Sequence, residues 1–131
     1  MKIKILLLLL LFSFLSGVTD LTSKNYEEET KEGIVVVEYW AHWNYEHIVK
    51  DFIVLKNAKL GRVNTCDNID LQLRDYIIVV PTIIFYDNGK QFKRLEADLS
   101  FELKTTKEEL QKIIDDRLMI NQEKKDGEEI R

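Results

Sequence analysis

The chain has 131 residues, 45% of them apolar and 32% charged, which excludes an intrinsically disordered chain and is enough for one domain with its own core. Its formal net charge is -4 and no Lys/Arg cluster stands out, which argues against a nucleic-acid partner, since phosphate binding needs a concentrated basic patch.

Met1-Lys2-Ile3-Lys4 opens the chain. An apolar run from Ile5 to Phe12 continues through Ser13 to Leu15, and the small residues Ser16 and Gly17 follow. A basic start, a short apolar stretch and small residues predict a secretory signal peptide over 1–17. The run is short for a membrane span, which takes about 20 residues. Loss of Lys2 and Lys4 leaves the remainder near -6, that is -4 minus 2. No second long apolar run follows, so no membrane association is expected after signal removal. Gly127-Glu128-Glu129-Ile130-Arg131 is not a KDEL-type signal. The expected location is therefore outside the cell or in the lumen of the endoplasmic reticulum.

Leu21-Thr22 reads as a short edge strand, and Ser23 as the cap of a helix from Lys24 to Lys31 ended by Gly33. Ile34 to Trp40 is a Val-rich run that predicts a strand buried on both faces. Asn44 reads as the N-cap of a helix to about Ala58, with Glu46 in its first turn and Ile48, Val49, Phe52, Ile53 and Leu55 on its apolar face. Leu60 to Thr65 predicts a strand. Asn68 to Tyr76 predicts a short helix with Leu71 and Leu73 inward.

Val79 to Tyr86, carrying the only proline, predicts another buried strand. Asp87-Asn88-Gly89 is a hairpin turn signal, and Gln91 to Ala97 pairs back antiparallel. Thr106-Lys107-Glu108-Glu109 matches a capping box, and the helix behind it carries Leu110, Ile113, Ile114 and Leu118 on one face. Residues 121–131 read as a charged flexible tail. Strands alternating with helices, then a hairpin and a closing helix, predict an α/β fold with a mixed central β-sheet flanked by helices over 18–120.

Four of these segments, spread between Leu21 and Leu118, resemble thioredoxin and the thioredoxin-like domains of protein disulfide isomerases. Val36-Val37-Glu38-Tyr39-Trp40-Ala41-His42-Trp43 is similar to the strand and Trp segment that leads to that family's active site. Val79-Val80-Pro81-Thr82 is similar to the segment whose proline is cis there, and Asp87-Asn88-Gly89-Lys90 to its hairpin turn. Asn64, in Val63-Asn64-Thr65, falls where the isomerase domains carry Asp. The resemblance implies the thioredoxin fold.

After the second Trp the family has Cys-x-x-Cys, and this chain has Asn44-Tyr45-Glu46-His47. Disulfide exchange needs a thiolate nucleophile and a resolving thiol. The departure therefore predicts a chain without that catalysis and without a cofactor. Glu38 matches the family's buried acid, and in a Val/Tyr strand it is either a leftover proton relay or a polar core residue. The resemblance also implies that Val80 offers its backbone to an extended peptide, with Trp43, Tyr45 and Pro81 as an apolar rim beside Trp40. The expected partner is a protein or peptide. The sequence leaves the oligomeric state open.

His42, Glu46 and His47 lie within six residues, but their spacing is not a recurrent metal motif, and no metal is expected. His47 reads as a filler of the second cysteine's space that hydrogen-bonds Asn44 or a backbone group. Its imidazole also falls in the range of a pH sensor. Cys66 is the lone thiol, unable to form an intramolecular disulfide, and is expected to behave mainly as a small buried apolar residue. Three functions follow: a redox-inactive secretory-pathway module that binds extended or unfolded polypeptide or a dedicated partner, one-cysteine exchange through Cys66, or a purely structural secreted interaction protein.

Overall fold

A computed structural model describes residues 17–129. The predicted signal peptide lies, but for Gly17, outside the described residues. Strands β1 (Val18–Asp20), β2 (Ile34–Trp40), β3 (Lys59–Asn64), β4 (Thr82–Asp87) and β5 (Lys90–Glu96) form one mixed sheet in the order β1-β3-β2-β4-β5. β3 runs parallel to β1 and β2, while β4 is antiparallel to β2 and β5 to β4. The helices are α1 (Tyr26–Thr30), α2 (Ile69–Arg74) and α3 (Lys107–Glu129).

The period-two alternation of strand side chains divides the core into two layers. Val35, Val37, Tyr39, Val63 and Ile84 pack toward α1 and α2 with Tyr26 and Leu71. Ile34, Val36, Leu60, Ile83 and Phe85 pack toward α3 with Phe52, Leu110 and Ile114. β2 is thus covered on both faces, as its apolar run predicts. At the β4–β5 hairpin, Asn88 (φ 49°) and Gly89 (φ 83°) take the left-handed backbone that their sequence signals. The Asn88 side chain accepts the Gly33 amide at 2.8 Å, which ties this hairpin to the start of β2.

The first-layer polar groups are paired. The Tyr39 hydroxyl donates to Asp75, the Tyr26 and Tyr86 hydroxyls bond each other, and the Arg74 guanidinium lies 4.6 Å over the Tyr26 ring. Burial pushes all three phenols up, so they stay neutral hydrogen-bonding groups.

Several expectations need correction. The first strand is Val18–Asp20, because Leu21 turns inward to the core at 1% exposure instead of continuing the edge. Ser23 does not cap α1. The start of that helix is fastened by Asn25, whose side chain accepts the Thr22 amide at 2.7 Å and donates to the Asp20 carbonyl at 3.1 Å. Leu73 is 70% exposed, because α2 is a single short helix that buries only Leu71. Residues 121–129 are helical, not an irregular tail. Arg117 and Asn121 bond Asp87 at 2.7 and 3.0 Å and dock α3 on the hairpin, so the helix runs on past the sheet.

The largest departure is the segment after β2. The apolar spacing there predicts one α-helix from Asn44, but the chain forms two 3-10 turns, His42–His47 and Lys50–Val54. Ile48 (ψ 149°) and Val49 (ψ 108°) between them are extended. Both are β-branched and favour extended backbone. The Val49 amide bonds to Glu38 of β2 in place of a helical partner, and its carbonyl accepts Arg62 of β3 beside the Phe52 amide.

Candidate functional site

The parallel and antiparallel pairings bring the ends of β2, β3 and β5 and the start of β4 to one end of the sheet. The 3-10 turn leaving β2 closes with the Asn44 amide donating to the Ala41 carbonyl at 2.9 Å. Asn44 is therefore inside the turn, not its cap. Its side chain reaches across to both neighbouring loops. Nδ2 donates to the Val80 carbonyl at 3.3 Å and to the Phe101 carbonyl at 3.0 Å. Oδ1 lies 2.9 Å from Nδ1 of His47. Because Oδ1 is an acceptor, His47 carries a hydrogen on Nδ1 in this contact.

Val80–Pro81 is a cis peptide, and both residues are buried. The Pro81 carbonyl accepts the Ala97 amide at 3.0 Å, so this turn is pinned to the end of β5. Trp43 and Tyr45 stand out beside it at 59% and 63% exposure. The Trp43 ring meets Phe101 edge to face at 5.2 Å. Trp40, at the end of β2, is half-buried. The structure thus brings Trp43, Asn44, His47, Val80 and Pro81 together and adds Phe101. Phe101 lies in a loop without periodicity, and no pattern in the sequence marks it.

Beneath this turn lies Glu38, at 0% exposure. Its Oε2 accepts the Val49 amide at 2.8 Å and its Oε1 accepts Nε of Arg62 at 2.9 Å. Nη2 of Arg62 donates to the Val49 carbonyl at 3.1 Å, and its guanidinium lies 5.2 Å over the Phe52 ring. Burial pushes the Glu38 carboxyl above its ordinary range, opposed by the Val49 amide and the Arg62 charge. Glu38 is thus a paired core charge. Its partner was visible in principle, since Arg62 shares the Leu60 face of its strand and sits opposite residue 38.

Cys66 is exposed, contrary to the buried expectation, because it sits in the turn leaving β3 with its amide bonded to the Asn64 side chain at 3.1 Å. Among the described residues no group of three or more His, Cys, Asp or Glu side chains is placed to hold a metal ion, and His42, Glu46 and His47 are all exposed. No helix among them is long and apolar enough to cross a membrane. Chemically the site offers an amide, an imidazole, two exposed aromatic rings and a buried peptide carbonyl. Neither Asn44 nor His47 supplies a thiolate.

No protein-family model matches the chain. Solved structures do. A thioredoxin from Halobacterium salinarum NRC-1, in a mutant form, aligns with a TM-score of 0.64 at 15% identity over 76% of this chain and 89% of its own. The Malassezia sympodialis thioredoxin Mala s 13, described as a member of a pan-allergen family, aligns with a TM-score of 0.61 at 20% identity over 77% and 91%. A chain from work on the thiol resolving mechanism of yeast mitochondrial 1-Cys peroxiredoxin via glutathione/thioredoxin systems aligns with a TM-score of 0.58 at 15% identity over 77% and 99%. With its mixed five-stranded sheet and flanking helices, this chain has the thioredoxin fold.

Proposed function

We propose that the protein is a redox-inactive polypeptide-binding module of the secretory pathway, which holds an extended segment of a protein partner across the Val80–Pro81 turn. The observation that carries this reading is the pair of exposed rings, Trp43 and Tyr45, beside a cis-proline turn where Asn44 and His47 bond each other. Exposed aromatic rings contribute large contact area with few torsions to freeze, and an extended segment gains main-chain hydrogen bonds at such a turn. The Asn-x-x-His sequence supports the absence of thiol-disulfide catalysis at this position, because the step requires sulfur. The signal-like start of the chain supports the compartment.

The test uses a reduced, thiol-blocked unfolded polypeptide. The reading expects reversible binding that Trp43→Ala weakens and Cys66→Ser leaves unchanged, and no reduction of a disulfide substrate. Binding that needs a free thiol would sink it. The exposure of Cys66 favours one rival, single-thiol exchange through that residue, in which Cys66→Ser abolishes a covalent partner seen on non-reducing gels. Against that rival, Cys66 precedes only a six-residue helix, a poor source of the field that stabilises thiolates.

A further inference from the structure

We propose that the partner segment is a cationic one, with Lys or Arg side chains interleaved with apolar residues; this rests on the binding reading above and adds the chemistry of the occupant. Sheet topology places three exposed apolar pairs at one end of the molecule: Trp43 and Tyr45 after β2, Tyr76 and Ile78 before β4, and Leu99 and Phe101 after β5. Their exposures run from 39% for Phe101 to 92% for Leu99. Single exposed apolar residues are ordinary, but this gathering marks an interaction surface.

The charges in the same connections are not balanced. Glu46, Asp51, Asp67, Asp70, Asp98 and Glu102 are exposed carboxylates, and Asp75 is a buried one. The cations in 41–58, 65–81 and 97–106 are Lys50, Lys56, Arg74 and Lys104, which leaves a net of seven minus four, or three negative charges. Two of these cations also have internal partners. Arg74 bonds the buried Asp75 and covers Tyr26, and Lys104 lies 3.6 Å from Asp98. The apolar end therefore has an acidic rim.

That rim selects among occupants. In a two-fold dimer the same patch meets itself, so a second copy would bring like charges together. An anionic lipid surface is repelled for the same reason. A cationic segment is attracted, its on-rate rises, and its ammonium or guanidinium groups gain cation–π contacts on Trp43 and Tyr45.

The experiment uses the full chain and three short fluorescent peptides in which leucine alternates with lysine, glutamine or glutamate. Fluorescence anisotropy should rank lysine over glutamine over glutamate, with about a tenfold gap between the ends that narrows as salt is raised. Glu46→Lys with Glu102→Lys should reverse part of the order, and both residues are exposed, so the fold is not at stake. Equal binding of all three peptides overturns the cationic partner and leaves the polypeptide-binding reading standing. Binding of none overturns both. A dimer at micromolar concentration, seen by sedimentation and not dissolved by the lysine peptide, assigns the face to a second copy and also overturns the proposal.

Discussion

The Glu38 carboxylate and the Arg62 guanidinium together grip both polar groups of Val49, its amide at 2.8 Å and its carbonyl at 3.1 Å. The pair sits under the segment that breaks into two 3-10 turns, and Val49 is one of the two residues between them. The Val49 amide, which a continuous helix would satisfy internally, is satisfied here by Glu38, while its carbonyl is shared between Arg62 and the Phe52 amide of the second turn. A buried ion pair of this kind is weak evidence for net stability, but losing one partner is costly, because the other charge remains in the core.

Arg62→Met is accordingly expected to destabilise the protein by about 3–5 kcal/mol at neutral pH. The pH dependence follows from the direction of the Glu38 shift. Its folded value is raised from an ordinary 4.5, so the folded state holds the proton more tightly than the unfolded chain. The contribution of this group is full below 4.5 and is lost as pH rises through the folded value. Removing the Arg62 charge raises the folded value further and extends that window upward. Urea midpoints across pH for both proteins check this, and parallel profiles would rule it out.

Gly61 faces Leu21 where β3 passes under the turn after β1. A Cβ on Gly61 would lie 2.9 Å from Cγ of Leu21, and closer still to Cδ1. Leu21 is 1% exposed and has no room to retreat. Gly61→Ala should cost about 1–3 kcal/mol by overpacking. In the Leu21→Ala background the same change should cost little or be favourable, since the added methyl enters the space vacated. A thermal-unfolding double-mutant cycle that comes out additive would refute the contact.

Four of the five strands were legible because their signals are local, whereas β1 was placed at Leu21-Thr22, past its observed end at Asp20. The run from Ile34 to Trp40 stands out as a block of apolar residues without any periodicity, and Asn88-Gly89 names its own turn. The segment from Asn44 was misread because Ile48, Val49, Phe52 and Leu55 keep helical spacing, while the groups that break the helix, Glu38 and Arg62, belong to other elements. The same limit hid the contact of Asn44 with Phe101, 57 residues away. The length of α3 was hidden differently. Residues 122–129 carry no apolar stripe, and the helix is carried past the sheet by Asn121 and Arg117 on Asp87. The candidate site was thus readable as a set of residues in two segments. The side-chain bonding that joins them was not.

Asp87 makes that anchor testable. Burial pushes its carboxyl up, but hydrogen bonds from Arg117 and Asn121 and the Arg117 charge outweigh burial and hold it below its ordinary 3.8. A depressed value means stability present above 3.8 and lost as pH falls through the lower folded value. Asp87→Ala should cost about 1.5–3 kcal/mol near neutrality, the usual range for hydrogen bonds to a charged group. It should also remove part of the acid-induced loss. Circular dichroism across an acid titration reads both, and an unchanged acid limb would show that the anchor contributes nothing there.

Asn44 donates to the acceptor that an extended partner at the cis-proline turn would use. Its Nδ2 donates to the Val80 carbonyl and the Phe101 carbonyl together, which leaves a bound segment the second lone pair of the Val80 oxygen. Asn44→Ala leaves the carbonyl of a residue only 5% exposed without that donor. An unsatisfied buried acceptor costs about 1–3 kcal/mol, so the free variant should be less stable than the parent. A peptide amide that reaches Val80 restores the bond, and part of that cost is returned on binding. The variant should therefore bind an extended peptide several-fold more tightly, and the peptide should raise its melting temperature by more than it raises that of the parent. A folded Asn44→Ala protein that binds more weakly would mean that Asn44 holds the binding surface in shape, and that the Val80 carbonyl is not where the partner pairs.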